Sequence, residues 1–166
     1  NNNVKTGKNI NLQINNNIPI IEVAGNHDMF GVKSYNSPDN YILDYGHSFA
    51  RNTTEKAENF QIRTFHLTRS KITVIALNPY EFPFPHSPLI MNMPLSTHTL
   101  DLLENEVEKS DNKVIIISHF PIGTIESKKS SDGKTLTDIF DNTEKVTGYL
   151  SGHWHPKDPS SFHDGK

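Results

Sequence analysis

The chain has 166 residues, of which 34% are hydrophobic and 21% charged, with a formal net charge of −3 at pH 7. This length fits a single globular domain, and the slightly negative charge offers no broad positive field for a nucleic-acid backbone. Cysteine does not occur, so disulfides and thiolate metal sites are excluded, and a transition metal would need His, Asn and carboxylate ligands.

The first part of the chain divides at about Ile18. Residues 1–17 contain eight Asn, a polar bias that predicts a loop or a disordered segment, and residues 18–166 are expected to form the packed domain. The apolar run from Ile18 to Ala24 predicts a buried strand that ends at Gly25. Because every apolar run is far shorter than the ~18 residues of a membrane span, we expect no span in this chain.

The middle of the chain predicts a hairpin between two less regular segments. Residues 34–44 carry turn signals followed by a mixed pattern that is compatible with a short helix. Apolar and β-branched residues in 60–67 and 71–77 predict two strands, with a turn at 68–70. Residues 78–94 contain five prolines, too many for a helix or a central strand, and predict a loop or a lid.

The last third of the chain alternates predicted helices and strands. The elements are a helix capped by Ser96 that runs to about Lys109, a buried strand at 113–118, a short helix at 135–140 and a strand at 146–151. Polar side chains follow three of the predicted strands, at Asn26, His119 and His153. Sites in open α/β sheets are built at the carboxyl ends of strands, so these residues are candidates for one site.

None of these motifs is decisive by itself. His153 and His155 stand two positions apart, but such a pair in a loop is more often exposed or hydrogen-bonded than bound to a metal. Asn26 to Asp28 after Gly25 is equally typical of a plain turn. We expect the other histidines, at positions 47, 66, 86, 98 and 163, to be surface or hydrogen-bonded residues.

The combination resembles the calcineurin-like metallophosphoesterase superfamily. Gly-Asn-His-Asp after one strand, Ser-His-Phe-Pro after a second and Gly-His-Trp-His after a third match the last three motifs of that superfamily in order and setting. The resemblance runs from about Ile18 to Pro156. It implies the C-terminal portion of an α/β, four-layer αββα sandwich. The implied activity is metal-dependent hydrolysis of a phosphate ester by metal-activated water.

The resemblance also implies a role for each motif residue. Asn26, His119 and His153 would bind the second of two divalent metal ions, and His155 would bind the first. Two ions about 3.5–4 Å apart lower the pKa of a shared water and clamp the phosphoryl oxygens. Ligands restricted to nitrogen and oxygen are compatible with manganese, iron or zinc.

A histidine and a carboxylate complete the implied chemistry. His27 would donate a proton to the leaving-group oxygen, and Asp28 would hold and polarise the His27 imidazole. A histidine suits this role because its pKa lies near neutrality and a neighbouring carboxylate favours its charged form.

The chain departs from the family pattern on the first-metal side. It contains neither the Asp-x-His motif nor the Gly-Asp motif whose carboxylate bridges both ions. Either the missing strands lie upstream in a longer protein, or the domain has lost this half of the site. We favour the first explanation because His155 and the pair of His27 and Asp28 are intact. By itself the chain is expected to be a poor catalyst.

A narrower resemblance supplies the main alternative. Residues 25–30 and the general run of segments are similar to the phosphoesterase-like domain of the transmembrane protein 62 group. This likeness implies an extracytoplasmic or lumenal domain of a membrane-anchored protein. The alternative to the enzyme is therefore a catalytically inactive interaction module, and a further alternative is a site for a single metal ion.

Overall fold

The structure, a computed structural model, is a mixed α/β arrangement around one four-stranded sheet. It describes residues 20–29, 32, 61–80, 94–125, 128–141 and 143–153. The elements within these ranges are β1 (Ile62–Leu67), β2 (Ile72–Leu77), α1 (Thr97–Lys109), β3 (Lys113–Ser118), a short 3-10 helix (Ile122–Thr124), α2 (Leu136–Asp141) and β4 (Val146–Ser151).

The first two strands form the predicted hairpin. β1 pairs with β2 in antiparallel register, from Ile62 opposite Leu77 to Leu67 opposite Ile72. The turn closes through a hydrogen bond of 3.2 Å from the Ser70 N–H to the Leu67 carbonyl. Lys71 completes the turn with a φ of 52°, a conformation that is uncommon outside glycine.

The sheet continues with parallel strands in the order β1-β2-β3-β4. In the two parallel pairs, Leu77 lies opposite Ser118, and Ser118 lies opposite Ser151. These three residues are the last of their strands, so β2, β3 and β4 end at the same edge of the sheet. The residues that follow them are thereby neighbours, as predicted for His119 after β3 and His153 after β4.

Helix α1 begins and ends where the sequence predicts. The Ser96 hydroxyl accepts a hydrogen bond of 3.1 Å from the Thr99 N–H, which satisfies one of the free donors of the first turn. Leu100, Leu103 and Val107 are buried, as expected for the apolar stripe of an amphipathic helix. The helix lies over the sheet, where the Thr64 hydroxyl of β1 donates to Glu106 at 2.7 Å.

Both faces of the central strands are apolar. Ile75 and Ile116 share the face on which α1 lies, and both are fully buried. On the opposite face Ala76 is fully buried and Ile117 partly buried. Parallel strands with two apolar faces require cover on both sides. The α/β prediction is confirmed, while the second sheet of the sandwich is not among the described residues.

One predicted strand differs from the structure, and other predictions lie outside the described ranges. No strand is assigned within residues 20–24, the described part of the run that begins at Ile18. At its end the Ala24 N–H bonds to the Asn78 side chain instead of to a neighbouring strand. The Asn-rich segment, the helix at 34–44 and most of the proline-rich segment are not described. No described helix is long and apolar enough to cross a membrane.

Candidate metal centre

The site forms where the chain leaves β3 and β4. His119 directly follows β3, and its carbonyl accepts a hydrogen bond of 3.0 Å from the Gly152 N–H just after β4. The next residue, His153, has a φ of 69°. A non-glycine residue in this left-handed region is uncommon and marks either a turn or a functional constraint. Here the turn brings the His153 ring beside His119, with centroids 5.0 Å apart.

Two polar side-chain atoms approach Nε2 of the His119 ring. Nε2 of His119 lies 3.0 Å from Oδ1 of Asn26 and 3.1 Å from Nδ1 of His153. A ring nitrogen carries at most one proton along one in-plane direction, so it cannot form two well-directed hydrogen bonds here. The tautomer of His119 decides which of the two contacts is a hydrogen bond. With a shared cation, all three atoms would be ligands.

Two separations at the cluster also fit a cation. Two ligand atoms about 2.1 Å from one ion and at a right angle to each other lie about 3.0 Å apart. The observed separations from His119 Nε2 are 3.0 and 3.1 Å. One amide oxygen and two imidazole nitrogens suit a borderline divalent metal such as manganese, iron or zinc. The residues present therefore fit one of the two ions that the resemblance implies.

The loop that carries Asn26 packs tightly against His119. A Cβ on Gly25 would lie 3.0 Å from Cε1 and 3.1 Å from Nδ1 of His119, and 3.1 Å from Oδ2 of Asp28. Glycine at this position thus allows the close approach of the imidazole, which a Cβ would push back by a few tenths of an ångström. The Met29 N–H bonds to the Gly25 carbonyl at 3.2 Å. Met29 itself is fully buried, so the loop is anchored in the core.

Asp28 closes the same loop. Its Oδ2 accepts a hydrogen bond of 2.9 Å from the Gly25 N–H. Burial, and secondarily the charge of Asp28, raise the pKa of Tyr80 well above its usual range. His27 and Asp28 are both exposed, so a substrate group could reach the His27 ring. The hydrogen bond that the structure gives to Asp28 holds the loop backbone.

An aromatic layer supports the two histidines. Phe120 is fully buried, and its ring centroid lies 5.0 Å from that of His119 and 4.7 Å from that of His153. Tyr80 meets Phe120 edge-on, with centroids 6.0 Å apart. The Tyr149 hydroxyl donates to the Phe120 carbonyl at 2.6 Å. Burial raises the pKa of Tyr149 to about 12, so this donor keeps its proton at neutral pH.

The structure brings together three of the six residues predicted for the site. Asn26, His119 and His153 form the cluster, and His27 and Asp28 lie in the adjoining turn. His155 lies outside the described residues. Within the described ranges no three His, Cys, Asp or Glu side chains cluster as metal ligands, because the third member of this cluster is an amide.

Sequence reasoning overlooked the residues that support the cluster. Asn78, Tyr80 and Phe120 were not singled out, although each follows a core strand by one to three positions. The usable signal was that Asn78 stands directly after β2, as His119 stands directly after β3. This similarity between Asn78 and His119 was overlooked because Asn78 was assigned to the proline-rich segment 78–94.

Comparison with known proteins identifies a family. The model of the calcineurin-like phosphoesterase family matches residues 2–157 of the chain. No curated protein matches the chain, and no solved structure matches it.

Proposed function

The chain belongs to the calcineurin-like phosphoesterase family, and from this premise we propose that it binds divalent metal and serves the hydrolysis of a phosphate ester. Members of the family are in general metal-dependent phosphoesterases. The observation that carries the proposal is the approach of Asn26 Oδ1 and His153 Nδ1 to His119 Nε2, at separations of 3.0 and 3.1 Å that suit cis ligands of one ion.

The proposed ligands divide between two ions. Asn26, His119 and His153 hold one divalent ion, and His155 contributes to the other. Bound metal of this kind supplies an activated water and neutralises charge on the phosphoryl oxygens. The protein keeps its own ligands in place through the short loop at Gly25 and the aromatic support of Phe120.

His27 is the proposed proton donor to the leaving group. It neighbours the ligand Asn26 and its ring is exposed, so it can reach an ester oxygen on a substrate bound at the cluster. Asp28 is the proposed partner of the His27 ring, and its carboxylate also fixes the Gly25 backbone. A general acid of this type contributes about 10²- to 10⁴-fold to the rate.

One observation favours the alternative of a non-catalytic module. The 166 residues contain neither an Asp-x-His nor a Gly-Asp pair, so the bridging carboxylate of the family pattern has no counterpart within them. In this alternative the domain is a catalytically inactive interaction or lumenal part of a membrane-anchored protein, as the likeness to the transmembrane protein 62 group implies.

Metal content and hydrolysis test the proposal together. The purified chain is analysed for bound metal, titrated with Mn²⁺ by calorimetry and assayed on p-nitrophenyl phosphate with added Mn²⁺. The double variant His119→Ala, His153→Ala removes two ligands. The matched control His66→Ala, His98→Ala removes two exposed histidines that are outside the cluster.

The outcomes separate the two functions. Metal lost only in the His119, His153 variant, with measurable hydrolysis by the parent, supports the phosphoesterase. The same metal result with little hydrolysis by the parent is what an enzyme without its first-metal motifs predicts, and hydrolysis by a longer chain that carries both motifs would then support the phosphoesterase. A parent that binds no Mn²⁺ favours the inactive module and contradicts the ligand assignment, as does equal binding by all three proteins.

A further inference from the structure

A buried amide from a different part of the chain holds the metal-binding loop. Asn78 directly follows β2 and is fully buried. Its Oδ1 accepts a hydrogen bond of 2.7 Å from the Ala24 N–H. Ala24 is itself fully buried and stands two positions before Asn26. The contact therefore joins the end of β2 to the segment that presents a proposed ligand.

The Asn78 side chain is well placed to fix the position of residues 24–26 relative to the sheet. The Asn78 N–H donates to the Gln61 carbonyl at 2.8 Å, which extends the β1-β2 hairpin by one pair and fixes the Asn78 backbone. The next donor along the loop, the Gly25 N–H, is taken by Asp28. Two successive N–H groups are thus bound by side-chain oxygens just before Asn26. This leaves the loop backbone little freedom to shift.

We propose that Asn78 is a positioning residue of the metal centre, which holds Asn26 against His119 through the Ala24 N–H. This inference rests on the proposed function, because Asn26 matters here as a ligand. Asn78 touches neither metal nor substrate in this role. Its effect on the centre passes through the backbone of residues 24–26.

The expected effect follows from the tolerance of metal sites. Ligand distances must stay within about 0.2 Å of their preferred values. Loss of the Asn78 oxygen leaves the buried Ala24 N–H without its acceptor, so the loop has to move toward another acceptor or toward water. Loss of residues that orient ligands lowers metal affinity by about 10- to 100-fold. We expect a loss in this range for Asn78→Ala.

The test compares three variants of the whole chain. Asn78→Ala removes the acceptor, and Asn78→Asp keeps an oxygen at the same place. Ser110→Ala is the matched control, because Ser110 is also buried and its hydroxyl bonds to Thr73 at 2.8 Å. Ser110 lies before the start of β3, at the opposite edge of the sheet from His119.

Three measurements are made on each variant. They are Mn²⁺ affinity by calorimetry, the thermal unfolding midpoint, and the NMR signals of the His119 ring in the metal-free protein. A positioning role predicts that Asn78→Ala loses affinity and shifts the His119 signals, while Asn78→Asp retains most of both. Ser110→Ala should lower the unfolding midpoint and leave affinity and His119 signals unchanged.

The outcomes distinguish this inference from the proposed function. Wild-type affinity and His119 signals in Asn78→Ala overturn the positioning role, and the metal site stands. No Mn²⁺ binding by the wild type, with shifted His119 signals in Asn78→Ala alone, overturns the metal function and retains the loop contact. Equal losses of Mn²⁺ affinity in Asn78→Ala and Ser110→Ala would show that the loss comes from general destabilisation, and they also overturn the positioning role. If Asn78→Ala does not fold, Asn78→Ser, whose shorter hydroxyl leaves a gap to Ala24, replaces it.

Discussion

The substitution Gly25→Ala tests the packing of the metal centre with the smallest possible change. The added methyl group would meet Cε1 of His119 at 3.0 Å and Nδ1 of the same ring at 3.1 Å. Ordinary contacts between carbon atoms are about 3.5–4.0 Å. Either the His119 ring or the Gly25 backbone must therefore move by a few tenths of an ångström.

The magnitude follows from the strain that such a contact creates. Adding one methyl group to a tightly packed site costs typically about 1–3 kcal/mol. If His119 moves to relieve the contact, its Nε2 moves away from Asn26 and His153, and the strain returns when a metal draws the three ligands together. Because about 1.4 kcal/mol equals a factor of ten, Mn²⁺ affinity should fall by about 5- to 150-fold.

Calorimetric titration with Mn²⁺ measures this loss, and Gly123→Ala provides the control. Gly123 lies in the 3-10 helix after His119, and no atom stands within 4 Å of a Cβ placed there. Its variant should bind Mn²⁺ as the wild type does. Wild-type affinity in Gly25→Ala would refute the packing argument, and an equal loss in Gly123→Ala would show that glycine flexibility, and not close approach, is what the site requires.

Substitutions at three further residues separate charge, capping and titration. Asp28→Asn keeps an oxygen for the Gly25 N–H and should retain Mn²⁺ affinity, while p-nitrophenyl phosphate hydrolysis falls by about 10- to 100-fold. Asp28→Ala should lower both Mn²⁺ affinity and hydrolysis. An unchanged rate in Asp28→Asn would contradict the proposed pairing of His27 with Asp28. Ser96→Ala removes the acceptor of the Thr99 N–H and should lower the free energy of unfolding in urea by about 1 kcal/mol. Its Mn²⁺ affinity should equal that of the wild type. A variant as stable as the wild type would contradict the capping role of Ser96. The pKa of Tyr149 is raised from 10.0 to about 12, so the folded state loses about 1.4 kcal/mol per pH unit between these values as pH rises. In Tyr149→Phe, the free energy of unfolding in urea should fall less steeply with pH, by that amount per pH unit over the same range. An unchanged slope would contradict the raised pKa of Tyr149.

Local patterns predicted most of the described secondary structure. The hairpin, the Ser96 cap and the buried strand before His119 each depend on signals within a few residues, namely turn residues, a capping hydroxyl and an uninterrupted β-branched run. The start of α2 was placed one residue early, at 135 instead of Leu136. The strand expected before Gly25 is not assigned at 20–24 because pairing depends on a partner, which composition cannot supply.

The proximity of the three proposed ligands was predictable, but the supports of the cluster were not. The strand-end argument holds for His119 and His153, which follow the parallel strands β3 and β4, whereas Asn26 reaches His119 from a segment that is not a strand. The bond from Ala24 to Asn78 spans 54 positions, and Asn is frequent in this chain, so only the place of Asn78 directly after β2 distinguishes it. The positive φ of His153 likewise results from the turn after β4 and leaves no mark in the sequence.

The arrangement also explains why glycine, asparagine and aromatic residues accompany the proposed ligands. Asn26 and His119 are 93 positions apart, and His119 and His153 are 34 apart, so three independent chain segments must agree to within the tolerance of a metal bond. Gly25 permits contact between the first two segments, the Gly152 N–H joins the last two, and Phe120 packs against both rings. A centre assembled from three separate chain segments is therefore only as well ordered as the contacts between those segments. Substitutions at these contacts should affect metal affinity as strongly as substitutions of some ligands.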